Sequence, residues 1–76
     1  MKTINIKLLQ AQDVKDFVNA VARCPDDIDL RSGRYVVDAK SILGIFSLDL
    51  SKPIIMQVYN DNCDDLIKEI ERFIEK

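Results

Sequence analysis

Hydrophobic and polar positions alternate at the start of the chain, with Ile4, Ile6 and Leu8 on one side and Thr3, Asn5 and Lys7 on the other. That period of two predicts a half-buried strand over Lys2–Leu8. The period then lengthens: Val14, Phe17, Val18 and Val21 share one face of a helix over Asp13–Arg23, with Asp13 as capping acceptor and Cys24-Pro25 beyond its end. Ile28 and Leu30 alternate with Asp27, Asp29 and Arg31, and Ser32-Gly33 turns the chain into Arg34–Val37, which predicts an antiparallel hairpin. Ser41 to about Leu48 reads as a short helix capped by Ser41. Ile54–Tyr59, behind Pro53, is an apolar and aromatic run of strand length. Leu66, Ile67, Ile70, Phe73 and Ile74 mark the stripe of a last helix, opened by Asn62 as cap, with Asp64 and Asp65 in its first turn and Lys76 at its end.

The predicted order is β-α-β-β-α-β-α. An antiparallel four-stranded sheet with two long helices and one short helix on one face satisfies the apolar stripes together, giving an α+β class. Residues 1–76 form one domain, because a chain of this length buries only about 60% of its unfolded surface and cannot divide its core.

Composition narrows the function classes. With 47% hydrophobic and 32% charged residues the chain lies in the globular range. A net charge of −2 without any basic run argues against nucleic-acid binding, which needs clustered Lys and Arg. No segment approaches the apolar length of a membrane span, and the "MKTINIKLL" start is too short in apolar residues for a signal peptide, so the expected address is the cytoplasm. Cys24 and Cys63 have neither CxxC spacing nor any histidine nearby, and both read as reduced thiols rather than a disulfide or zinc site. Cys63 lies near a helix start, which favours a thiolate, but Asp61, Asp64 and Asp65 oppose it. That acidic group lacks the glycine turn and distal Glu of a calcium loop. Neither a metal nor a cofactor is expected. An enzyme is disfavoured by the absence of histidine, of a glycine-rich phosphate loop and of a paired nucleophile and base.

The segment "DAKSILGIFSLDL" is the unusual one. Ile42, Leu43, Ile45 and Phe46 crowd around Gly44 directly behind Lys40 and Ser41. Neighbouring residues on a two-turn helix face different directions, so about half of these apolar side chains belong to the core and the rest form an exposed patch. A contiguous exposed apolar patch marks a partner site. Ser41 has a bland role as helix cap and a second role as a phosphorylation candidate, since a phosphoserine dianion suits a helix N-terminus beside Lys40.

The string "SGRYVVDAKSILGIFSLDL", followed by a strand and an amphipathic helix, resembles the HPr family, the phosphocarrier proteins of the bacterial sugar phosphotransferase system. The resemblance covers nearly the whole chain and is most specific in "AKSILGIFSL", where the family's regulatory serine falls on Ser41. It implies the open-faced β-sandwich fold of that family and a short helix that contacts enzymes and regulators. The family's other hallmark, Gly-Leu-His-Ala-Arg-Pro-Ala at the start of the first helix, corresponds to "LLQAQDV", Leu8 to Val14. Leu9 and Ala11 fit it, but Gln10 stands at the phosphorylated histidine, Gln12 at the arginine and Asp13 at the proline. A glutamine amide is essentially non-nucleophilic, whereas imidazole suits reversible phosphoryl transfer near neutral pH. The implied function is a regulatory or protein-interaction module without phosphohistidine chemistry, similar in logic to the catabolite-repression HPr-like proteins. Its site residues are Lys40, Ser41, Ile42, Leu43, Ile45 and Phe46, and its partners an HPr kinase-like enzyme or a transcription regulator. The alternatives are a small-ligand sensor of α/β architecture and a residual phosphotransferase-system component.

Overall fold

The computed structural model describes residues 2–60 and 63–75. Its elements are β1 (Lys2–Ile6), α1 (Ala11–Val21), β2 (Ile28–Ser32), β3 (Tyr35–Asp38), α2 (Ile42–Phe46), β4 (Ile54–Val58) and α3 (Asp64–Glu69), followed by a single 3₁₀ turn, Glu71–Phe73. The strands form one antiparallel sheet in the order β1-β4-β2-β3. All of the helices lie over one face, which makes the molecule an α+β open-faced sandwich.

The registers explain which side chains line the core. Ile6 pairs with Ile54, Ile4 with Met56 and Leu30 with Met56, so successive inward positions on three strands stack into one apolar layer. Ile6, Ile28, Leu30, Ile54, Met56 and Val58 are buried there against Val14, Phe17 and Val21 of α1, Ile45 of α2, and Leu66, Ile70 and Phe73 from the C-terminal part. The opposite face carries Asn5, Ile55, Arg31 and Val36 in a row across the sheet. Ser32 and Tyr35 close the β2–β3 hairpin around a two-residue loop, where Gly33 has φ +59. Glycine takes that angle without a Cβ clash, and the resulting turn matches the twist of the strands.

Several boundaries shift by a residue or two from the sequence expectation, and three of the differences have a structural consequence. β1 ends at Ile6, although Leu8 keeps its inward phase and is fully buried. α1 starts at Ala11, so Asp13 sits inside the first turn instead of capping from outside it. The last helix is the largest difference: it stops at Glu69, and Ile70 leaves helical geometry with φ −104 and ψ 11. Competing tertiary bonds take over here. Lys7 N–H donates to the Phe73 carbonyl (2.7 Å), Glu75 N–H donates to the Asn5 carbonyl (2.9 Å), and Ile74 bridges Ile6. Six residues of isolated helix are marginal, so these strand-like bonds outweigh the remaining helical periodicity. The expected Asn62 cap lies outside the described residues, as do Asp61 and Lys76.

Candidate functional site

Two regions carry candidate chemistry. The first is the start of α1. Gln10 occupies the position before the helix in extended geometry (φ −133, ψ 161), and its side chain makes no capping bond. Its carbonyl accepts the first helical bond, from Val14 N–H at 3.3 Å. Asp13 uses its carboxylate to accept the Leu9 N–H (3.1 Å), which fastens the chain entering the helix. An anionic side chain therefore stands in the first turn, where the helix dipole favours negative charge.

Gln12 is committed too. Its amide donates to one oxygen of Asp16 (3.0 Å), while Arg72 donates to the other at 2.7 Å. The guanidinium also lies 4.3 Å over the Phe73 ring, and Phe73 packs edge-on against Phe17 with centroids 5.8 Å apart. The hydrogen bond from Gln12, and then that from Arg72, lower the Asp16 pKa below the ordinary carboxylate value. Arg72, a cation beside this helix start, is thus already paired. A cleft of about 360 Å³ beside it is bordered by two cations, Lys7 and Arg72, and two carboxylates, Asp13 and Glu75, so it offers no net positive field to a phosphate.

The second region is α2. Ser41 is its cap: the hydroxyl accepts the Gly44 N–H at 3.2 Å, and the Ser41 carbonyl accepts from Ile45 at 3.0 Å. Gly44 allows this close turn, because an added Cβ would lie 3.2 Å from Ser41 Oγ and 3.4 Å from Val37 Cβ. The four apolar side chains separate as their angles require. Ile45 is fully buried, Ile42 is half-buried against the core, Leu43 is 81% exposed and Phe46 is 42% exposed. Ile45, expected among the contact residues, presents no surface to a partner; it is the residue that anchors the helix. Lys40 also does other work than flanking Ser41, since its ammonium donates to the Cys24 carbonyl (2.7 Å), just beyond the C-terminus of α1. A cation is favoured at that end of a helix. Leu43 and Phe46, with the rim of Ile42, form the accessible patch beside Ser41.

The cysteines lie elsewhere. Cys24 and Cys63 are free thiols lining a groove of about 510 Å³ between the end of α1 and the start of α3. Cys24 donates to Asp26 (3.6 Å), and Cys63 is buried at the start of α3 without a side-chain capping bond. Among the described residues no group of three or more Cys, Asp or Glu could hold a metal ion, and no helix is long and apolar enough to cross a membrane.

The family described as "PTS HPr component phosphorylation site" matches residues 2–76. The chain belongs to the HPr family. HPr proteins are phosphocarriers and not enzymes, and they interact with other proteins of the phosphotransferase system. Solved structures similar to this HPr-family chain include HPr-C-His from Thermoanaerobacter tengcongensis, 26% identical with a TM-score of 0.79, over 95% of this chain and 89% of that one. The phosphocarrier protein HPr from Bacillus anthracis str. Ames is 25% identical with a TM-score of 0.72, over 97% and 94% of the two chains. A histidine-containing phosphocarrier protein from Mycoplasma, 16% identical with a TM-score of 0.72 over 93% and 86%, shares the fold. No curated protein matches the chain.

Sequence patterns located Gln10, Gln12 and the Ser41 helix in this HPr-family chain, but missed Arg72 and Asp16. Arg72 is 56 positions from its partner, and in sequence it is one charge on the polar side of a helical stripe. Only the folding of the C-terminal segment against α1 gives it a role.

Proposed function

We propose that this HPr-family protein does not carry a phosphoryl group on histidine and acts as a regulatory, protein-contact module through the Ser41 helix. One observation carries this: Gln10 stands at the start of α1, where the family motif has its histidine, and the chain has no histidine at all. An amide offers no lone pair basic enough to accept and release a phosphoryl group reversibly. The surroundings agree. Gln12 replaces a fixed cationic donor with a neutral one already bonded to Asp16, Arg72 is paired, and Asp13 opposes an incoming anion at the helix start.

Ser41 supports the regulatory half. Ser41 is half-buried at a helix start, so a phosphoryl group there gains about 0.3–1 kcal/mol from the dipole while adding charge next to Leu43 and Phe46. Lys40 holds the chain before Ser41 to the end of α1. The residues assigned to partner contact are Ser41, Leu43 and Phe46, with Lys40 and Ile42 at the margin. The fitting partners are an HPr kinase-like enzyme and a transcription regulator that reads the phosphorylation state. Incubation with an HPr-type serine kinase and ATP is expected to modify the parent chain and not Ser41→Ala, with Phe46→Ala modified at least tenfold more slowly. Modification at another residue, or none under conditions that modify an HPr with the complete motif, contradicts the proposed switch.

A further inference from the structure

The two edges of the sheet are treated differently. β1 is covered at its far end, because Ile74 bridges Ile6 while, on the same side, Glu75 N–H donates to the Asn5 carbonyl and Lys7 N–H to the Phe73 carbonyl. Among the described residues, no strand lies beside the outer edge of β3. Backbone phase shows which groups face outward there. Ala39 N–H donates to Ile28, and bonded pairs alternate along an antiparallel ladder, so Val37 and Tyr35 bond inward to Leu30 and Ser32. Val36 and Asp38 therefore turn their N–H groups away from β2.

That edge reads Arg34-Tyr35-Val36-Val37-Asp38. Turned by a two-fold rotation about Val36 and laid antiparallel on itself, it brings Val36 N–H and C=O into reciprocal bonds across the axis. The same register sets Arg34 opposite the partner copy's Asp38 on both sides of the axis, and Tyr35 opposite Val37. Tyr35 and Val36 are 71% and 50% exposed, large values for apolar positions on a bare edge. Arg34 is exposed, with no hydrogen bond or ion pair among the described residues. Asp38 lies directly opposite Asp29 in the β2–β3 register, on the solvent face, where facing like charges are unfavourable. Tyr59 hydroxyl donates to Asp29 (2.8 Å), and one Asp38 oxygen accepts the Lys40 N–H (2.9 Å), which leaves the second Asp38 oxygen for a guanidinium.

We infer that β3 is a self-complementary edge on which a second copy of this chain docks, β3 against β3, joining the two four-stranded sheets into one. Charge, hydrogen-bond phase and apolar exposure all fit the same two-fold register. The contact is short, well below the roughly 1,200 Å² of a stable interface, so the dimer is weak and grows in with concentration. It is independent of the role proposed for Ser41.

Sedimentation velocity over a concentration series tests this. The parent's average mass is expected to climb toward that of the dimer. Arg34→Asp sets Asp against Asp twice, Asp38→Arg sets Arg against Arg twice, and each variant alone is expected to stay monomeric with native circular dichroism. Mixed in equal amounts they regain both pairings, so the mixture is expected to recover the parent's association. Val36→Pro removes the outward N–H and leaves the bonds to β2 intact; it is expected to abolish the dimer and covers the case in which Asp38→Arg fails to fold. A parent that stays monomeric throughout, association unchanged in Arg34→Asp and Val36→Pro, or folded charge variants that do not associate when mixed would overturn the inference.

Discussion

At the residue scale, the behaviour of Ser41 and Asp16 follows from their hydrogen bonds. Ser41 supplies the acceptor for Gly44 N–H, so Ser41→Ala is expected to cost about 1 kcal/mol in urea unfolding, whereas Ser41→Asp keeps an acceptor and stays within about 0.5 kcal/mol of the parent. An equal loss in both variants would show that the cap is not what matters there. Asp16 behaves differently because it titrates. Its folded pKa lies below the ordinary value, so the stabilising effect of the Gln12 and Arg72 bonds is fully present above the unfolded-state pKa and is lost as pH falls through the lowered folded one. Urea midpoints of the parent and Asp16→Asn are expected to differ at neutral pH and to converge as pH drops below about 4. A gap that persists in acid would rule out the carboxylate as its source. The cap was legible from local sequence, since Ser41 and Gly44 are close along the chain. The Asp16–Arg72 pair was not, because nothing short of the folded C-terminal segment brings those two together.

Elements show where periodicity is decisive and where it is outvoted. On α2 the sequence requires some side chains to face outward but leaves open which; packing selects Ile45 for the core and exposes Leu43. Ile45→Ala is accordingly expected to cost about 2–5 kcal/mol by leaving a cavity, and Leu43→Ala less than about 0.5 kcal/mol, both measured by urea unfolding. Comparable losses would mean that α2 sits on the sheet in another rotation. The strands and α1 follow their patterns because each buries one continuous apolar stripe in the common core. The C-terminal stripe is shared between α3 and the turn that follows, since Phe73, Ile74 and Glu75 are bonded to the end of β1. Apolar spacing alone does not distinguish a helix from a helix that breaks to pair with a strand.

The whole molecule is an HPr-family sandwich in which Gln12, Asp16 and Arg72 are bonded to one another beside the start of α1. Its fold was legible because strand alternation and two amphipathic stripes admit few arrangements of so short a chain. The proposed function rests on the residues that depart from the family motif, Gln10, Gln12 and Asp13, and on "AKSILG", which retains it. Partner identity is written in neither, because it depends on surfaces of another protein. The most direct measurement is intact-mass analysis of the chain after incubation with phosphoenolpyruvate and the general phosphotransferase enzyme, run beside an HPr that has the histidine. No phosphate on this chain, with full modification of the other, is the expected outcome; acid-labile phosphate appearing on any residue here would show that it is a carrier after all.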